Sequence, residues 1–138
     1  MILLDTDTLS LLFAAHPQVA ERFRQTTDEV ATTIITRIEI LEGRFASVKK
    51  AADGEQLLRA QQWLQQTDGN LATIPIIPID ATASSEFDKL RANKKLKKIG
   101  RADMLIASIA LARQATLVTR NLRHFRQIPG LNVENWAD

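Results

Sequence analysis

Two patterns of apolar residues alternate along the chain. Ile2-Leu3-Leu4 is a short continuous apolar run, as in a strand buried on both faces, and it delivers an acid, Asp5, at its carboxyl end. Leu9, Leu12 and Phe13 then recur at helical spacing, behind an Asp7 or Thr8 that can cap the helix. His16-Pro17 stops that helix, and Val19 and Phe23, four apart, mark a second. Residues 30–35 are rich in β-branched side chains and predict the second strand, followed by a helix opening at Thr36-Arg37-Ile38-Glu39 and reaching about Val48. Residues 54–67, with Leu57, Leu58, Ala60 and Leu64, predict an amphipathic helix ended by Gly69-Asn70. The apolar stretch 74–80 contains two prolines, which confine it to a very short or edge strand. A helix over 81–95 turns Phe87 and Leu90 inward. The helix over 103–113 is small and apolar nearly all round, so it is buried. Residues 115–119 form a strand, 121–125 a turn or short helix, and 131–133 a last short strand.

Strands alternating with helices imply an α/β fold, a short, mostly parallel central sheet with helices on both faces. No repeat or linker divides the chain, and 138 residues suit one domain over 1–138. In such folds ligands bind beyond the carboxyl ends of the strands, near a topological switch point. Asp5 ends the first strand, and Thr119 and Asn121 lie at the end of the fourth. Glu39 and Asp103 each fall near the start of a helix that can face the same edge.

Composition removes several classes of function. There is no cysteine, which excludes disulfide scaffolds, zinc–thiolate sites and thiol nucleophiles. No apolar run approaches the roughly 18 residues needed to span a bilayer. The start lacks a signal-peptide pattern, because Asp5 and Asp7 interrupt its first apolar segment. A cytoplasmic protein with no membrane attachment is the expectation.

Net charge is only +2, but its distribution is uneven. Seven basic residues and no acid occupy the charged positions of 89–101, including Lys94, Lys95, Lys97, Lys98 and Arg101. The rest of the chain has eleven basic and sixteen acidic residues, a net −5. Such segregation suits a polyanion, bound through its phosphates with release of counterions. A solvated helix face gives the same pattern, so charge alone does not decide between them.

Asp5 stands in Leu-Leu-Asp-Thr-Asp, Glu39 in Ile-Glu-Ile-Leu-Glu-Gly, Asp103 in Ile-Gly-Arg-Ala-Asp-Met-Leu-Ile-Ala, and Asn121 in Thr-Arg-Asn-Leu-Arg-His-Phe. Clustered carboxylates repel one another, and a hard cation with oxygen ligands is the usual way to stabilise them. This set, in this order and with these flanks, resembles the PIN-domain ribonucleases, most closely the VapC-type toxins of bacterial toxin–antitoxin pairs. The likeness runs from residue 2 to about Trp136. It implies a three-layer α/β/α sandwich and an endoribonuclease that depends on Mg²⁺, with Mn²⁺ as the alternative metal. Its implied partners are RNA, a small cognate antitoxin and a second copy in a homodimer. By position, Asp5 and Asp103 correspond to the principal Mg²⁺ ligands and Glu39 to the second acid of the family. Asn121 falls where many members carry a fourth acid, and it joins Asp5, Glu39 and Asp103 as a candidate catalytic residue that acts through a water or an outer hydrogen bond. Thr119 and Asp7 are supporting candidates, and Lys94, Lys95, Lys97, Lys98 and Arg101 a candidate RNA or antitoxin contact.

Other readings of these residues compete. Thr36-x-x-Glu39 matches a capping box, in which Glu39 would only satisfy a backbone N–H. Asp103 can simply complement a helix dipole, and Asp7 reads better as an N-cap than as a ligand. His16 and His124 read as ordinary surface or boundary residues, and Trp63 and Trp136 as packing anchors. Asp5-Thr6-Asp7 after a strand also resembles the opening of haloacid-dehalogenase-type phosphatases, but the later motifs of that family fail, with Arg120 after Thr119 and Arg101 after Gly100. A PIN-like module that binds RNA or a partner without cutting is the other alternative, and Asn121 is the feature that favours it.

Overall fold

A computed structural model describes all 138 residues. Its centre is a five-stranded sheet of β1 (Ile2–Leu4), β2 (Val30–Thr33), β3 (Ile76–Ile77), β4 (Thr116–Val118) and β5 (Asn132–Glu134). The order across the sheet is β3-β2-β1-β4-β5, and every neighbouring pair runs parallel. Parallel neighbours need crossovers, and helices supply them. These are α1 (Thr6–Phe13), α2 (Pro17–Gln25), α3 (Ile34–Lys50), α4 (Gly54–Leu71), α5 (Ala81–Ala92), α6 (Arg101–Ala112) and α7 (Leu122–Phe125).

Side chains alternate across a strand, so each strand feeds two cores. Leu3 joins Ala31 and Leu117 on one face, packed with Leu90, Ile106, Ile109 and Phe125 from α5, α6 and α7. Ile2, Leu4 and Val118 point the other way, onto Leu9, Val19, Ile40, Leu41 and Leu71 of α1 to α4, and onto Trp136. The result is the expected three-layer α/β/α sandwich. Leu3, Leu4, Leu9 and Leu117 are fully buried, and each such side chain contributes about 1.5–3 kcal/mol by leaving water. The apolar α6 is buried as its composition predicts, with Ile106, Ala107, Ile109 and Ala110 at most 1% exposed. No helix is long and apolar enough to cross a membrane.

Several boundaries differ from the sequence expectation. The second strand stops at Thr33 rather than residue 35, because the Thr33 side chain accepts a hydrogen bond from Thr36 N at 3.2 Å and starts α3 there. The fourth helix runs through Gly69-Asn70 to Leu71, a glycine being tolerated near a helix end. The helix expected over 81–95 breaks at Asn93, whose side chain caps a single 3₁₀ turn, Lys94–Leu96. Pro75 and Pro78 bracket the two-residue β3 and hold it to the sheet edge, as anticipated.

The chain builds outward from β1 to β2 to β3, then crosses to β4 on the other side of β1. That reversal between β1 and β4 is the topological switch point, and it opens a crevice at the carboxyl ends of the two strands.

Candidate active site

Each candidate side chain reaches this crevice from a different element. Asp5 immediately follows β1 and is 8% exposed, with Oδ1 accepting from Thr8 N at 2.9 Å. Asp5 is therefore the N-cap of α1, a role expected of Asp7 or Thr8. Asp7 lies in the first turn of that helix, 3.9 Å from Arg120 in an exposed pair. Glu39 projects from the second turn of α3. The capping-box reading of Glu39 fails, because Thr33 and not Thr36 is the cap; Glu39 Oε1 instead accepts from Thr6 Oγ1 at 2.5 Å. Asp103 stands in the first turn of α6, behind a Gly100 N-cap that has no side chain to offer. Asn121 follows β4, its N–H donating to Thr119 Oγ1 at 3.0 Å.

These residues line one cavity of about 220 Å³, formed by Asp5, Thr6, Asp7, Glu39, Asp103, Ile106, Asn121 and Phe125. A larger hollow of about 720 Å³ lies beside α2 and the C-terminus. Chemistry rather than size distinguishes the smaller one. Four acids from three segments of chain face it, over an apolar floor of Ile106 and Phe125.

Burial and that crowding together set the electrostatics. Burial pushes the Asp5 carboxyl above its ordinary value of 3.8, against hydrogen bonds from Thr119 and Thr8 and with the Asp7 charge adding to the rise. Asp103 is raised as well, first by burial and then by the charges of Glu39 and Asp5, while His124 acts in the opposite direction. Neighbouring charges that push Asp5 and Asp103 further up mark a site of surplus negative potential. No three carboxylate or imidazole groups are already drawn together as a closed ligand cage. The donors are all hard oxygens, the set that suits Mg²⁺, which keeps several waters and needs only one or two carboxylates.

Two residues of the site were not anticipated. Thr6, half-buried, holds Glu39. His124 Nδ1 lies 3.5 Å from Asp103 Oδ2 and 2.8 Å from Asn121 Nδ2. Asn121 thus contacts the acids through an imidazole. The spacing of three between Asn121 and His124, which places both on one side of α7, was the available signal. His16, by contrast, caps α2 by accepting from Val19 N at 3.3 Å. Trp136 is buried as a packing anchor, whereas Trp63 is 46% exposed and carries the Arg44 guanidinium 3.5 Å above its ring. Thr119 is fully buried behind Asp5 and does not line the cavity.

Lys94, Lys95, Lys97 and Lys98 are exposed and form no ion pair with an acid. They occupy the 3₁₀ turn and the loop that lead into Gly100, one helical turn ahead of Asp103. Arg101, also exposed, sits 5.3 Å from the Phe87 ring.

Comparison with known proteins agrees with this architecture. The family model for the PIN domain matches residues 2–131. Ribonuclease VapC2 of Rickettsia felis is 30% identical over 97% of this chain and 96% of its own. The tRNA(fMet)-specific endonuclease VapC of Salmonella typhimurium is 28% identical over 98% and 97%. A chain in the crystal structure of Rickettsia felis VapBC2, bound to a DNA fragment from its promoter, superposes with a TM-score of 0.79 at 31% identity, covering 99% of both chains. With the family model spanning nearly the whole chain and the acids gathered at the switch point, the protein belongs to the PIN-domain family, among the VapC ribonucleases.

Proposed function

We propose that this protein is the toxin of a toxin–antitoxin pair, a divalent-cation-dependent endoribonuclease that cleaves RNA phosphodiester bonds by hydrolysis at the β1–β4 crevice. The observation that carries the reading is the convergence of Asp5, Glu39 and Asp103 on one small cavity. The family assignment displaces the phosphatase reading. Three acids facing one cavity argue against a module that only binds.

Asp5 and Asp103 would hold Mg²⁺ or Mn²⁺ directly, with Glu39 orienting water beside it. A cation bound there would lower the pKa of a water and offset charge on the phosphodiester. The chain's own contribution is geometric and electrostatic. Capping α1 fixes Asp5 at the strand end, and α6 fixes Asp103 across from it. Ile106 and Phe125 floor the cavity with apolar surface, which strengthens charge interactions above it. Asn121 and His124 hold one another at the rim beside Asp103. Exposed, unpaired lysines at 94, 95, 97 and 98 would take the phosphates on either side of the cut.

The cognate antitoxin is the expected protein partner, in line with the toxin–antitoxin complexes among the solved neighbours. Assembly as a homodimer and residence in the cytoplasm complete the proposal. Its test is cleavage of RNA by the purified, antitoxin-free protein. Activity should disappear with a chelator and return on adding Mg²⁺ or Mn²⁺. Cleavage that persists in chelator would remove the cation from the reaction.

A further inference from the structure

Residues 32–36 contain three threonines that read, in sequence, as β-propensity. In the fold Thr32, Thr33 and Thr36 are each fully buried. Burying a hydroxyl is unfavourable unless it is bonded. Thr32 Oγ1 donates to Leu4 O at 2.7 Å and ties β2 to β1. The other two lead to Glu39. Thr33 Oγ1 lies 3.5 Å from Thr36 Oγ1, Thr36 Oγ1 lies 3.1 Å from Thr6 Oγ1, and Thr6 Oγ1 lies 2.5 Å from Glu39 Oε1.

The carboxylate end sets the direction of this chain. An ionised carboxylate only accepts, so the Thr6 proton is committed to Glu39. Thr6 must then accept from Thr36, whose own proton is committed in turn, and the Thr36 oxygen is left to the Thr33 hydroxyl. Each hydroxyl donates once, and none is left over.

We propose that Thr6 is a positioning residue that fixes the Glu39 carboxylate over the cavity, and that Thr36 acts behind it by fixing Thr6. The bond crosses between elements, since Thr6 opens α1 beside Asp5 whereas Thr36 and Glu39 belong to α3. It therefore sets the relative placement of two acids that no backbone hydrogen bond connects. A free glutamate carries among the largest side-chain entropies, and ordering it beforehand removes that cost from ligand binding. The inference rests on reading Glu39 as part of a divalent-cation site.

The test is calorimetric titration of Mg²⁺ into the full chain, free of antitoxin, for the parent, Thr6→Val, Thr6→Ser, Thr36→Val and the double Val variant. Valine keeps the shape of threonine and removes the donor. Thr6→Ala, a smaller side chain and better helix former, is carried alongside in case valine does not fold. Thr6→Val or Thr6→Ala should raise the Mg²⁺ dissociation constant by about tenfold, the low end of the cost of losing a partner behind a ligand, because Glu39 reaches the cation through a water. Thr6→Ser should restore affinity to within about threefold of the parent, because it restores the donor. Thr36→Val should weaken binding less than Thr6→Val, and the double variant should be no worse than Thr6→Val, since Thr36 acts only through Thr6. A parent that binds Mg²⁺ and a folded Thr6→Val that binds it equally well would overturn this inference alone. A parent that binds no Mg²⁺ overturns the cation site and the inference with it.

Discussion

Asp103→Asn should abolish RNA cleavage and, in chelator at about pH 7, yield a protein more stable than its parent. The substitution is close to isosteric and removes a charge that the fold holds at a disadvantage. Burial raises the Asp103 carboxyl above 3.8, Glu39 and Asp5 raise it further, and His124 opposes them without reversing the direction. An acid with a raised folded pKa binds its proton more tightly in the native state. Parental stability therefore falls as pH rises through 3.8 towards the folded value, and stays lowered above it. The asparagine variant has no such loss. Its advantage in melting temperature should shrink as pH is lowered towards about 4, where the parent carboxyl regains its proton. Adding Mg²⁺ should raise the melting temperature of the parent and leave the variant unmoved, because a ligand stabilises only the state that binds it. The activity loss should exceed the roughly 100-fold that an outer partner costs, since the deleted charge would be a direct ligand. Undiminished cleavage by folded Asp103→Asn would exclude that role.

Reversing Lys94, Lys95, Lys97 and Lys98 to glutamate should weaken RNA binding at least about tenfold and flatten its dependence on salt by roughly one unit of slope per lost phosphate contact. The four side chains are exposed and unpaired, and they precede Asp103 by one helical turn and a short loop. Stability should change little, because these lysines hold nothing in the fold, and Leu96 and Ile99 between them supply the packing. An unchanged salt slope would mark the segment as a solvated surface.

What could be read from the sequence was what depends on periodicity. The buried strand ending on Asp5, the apolar α6 behind Asp103 and the proline-limited edge strand all follow from local pattern, and their alternation implies the layers. Errors cluster where a side chain chooses between two neighbouring backbone partners. Asp5, Asp7 and Thr8 are equally able caps on paper, and so are Thr33 and Thr36. The structure selects Asp5 and Thr33 because the strand must end before the helix can start, and only three-dimensional pairing of β1 and β2 fixes that residue. The roles of Thr6 and His124 leave no local trace for a related reason. Their partners, Glu39 and Asp103, lie 33 and 21 residues away in sequence, and no local pattern reports such contacts. Asn121, where many members of the family carry an acid, directs its amide to His124.

Anomalous diffraction from crystals of the full chain soaked in Mn²⁺ tests the central claim most directly, because Mn²⁺ shares the oxygen-ligand preference of Mg²⁺ and reports its own position. The account predicts a peak in the cavity at the carboxyl ends of β1 and β4, bonded to both Asp5 and Asp103. An empty cavity in crystals that bind Mn²⁺ elsewhere, or a peak that touches neither carboxylate, would contradict it.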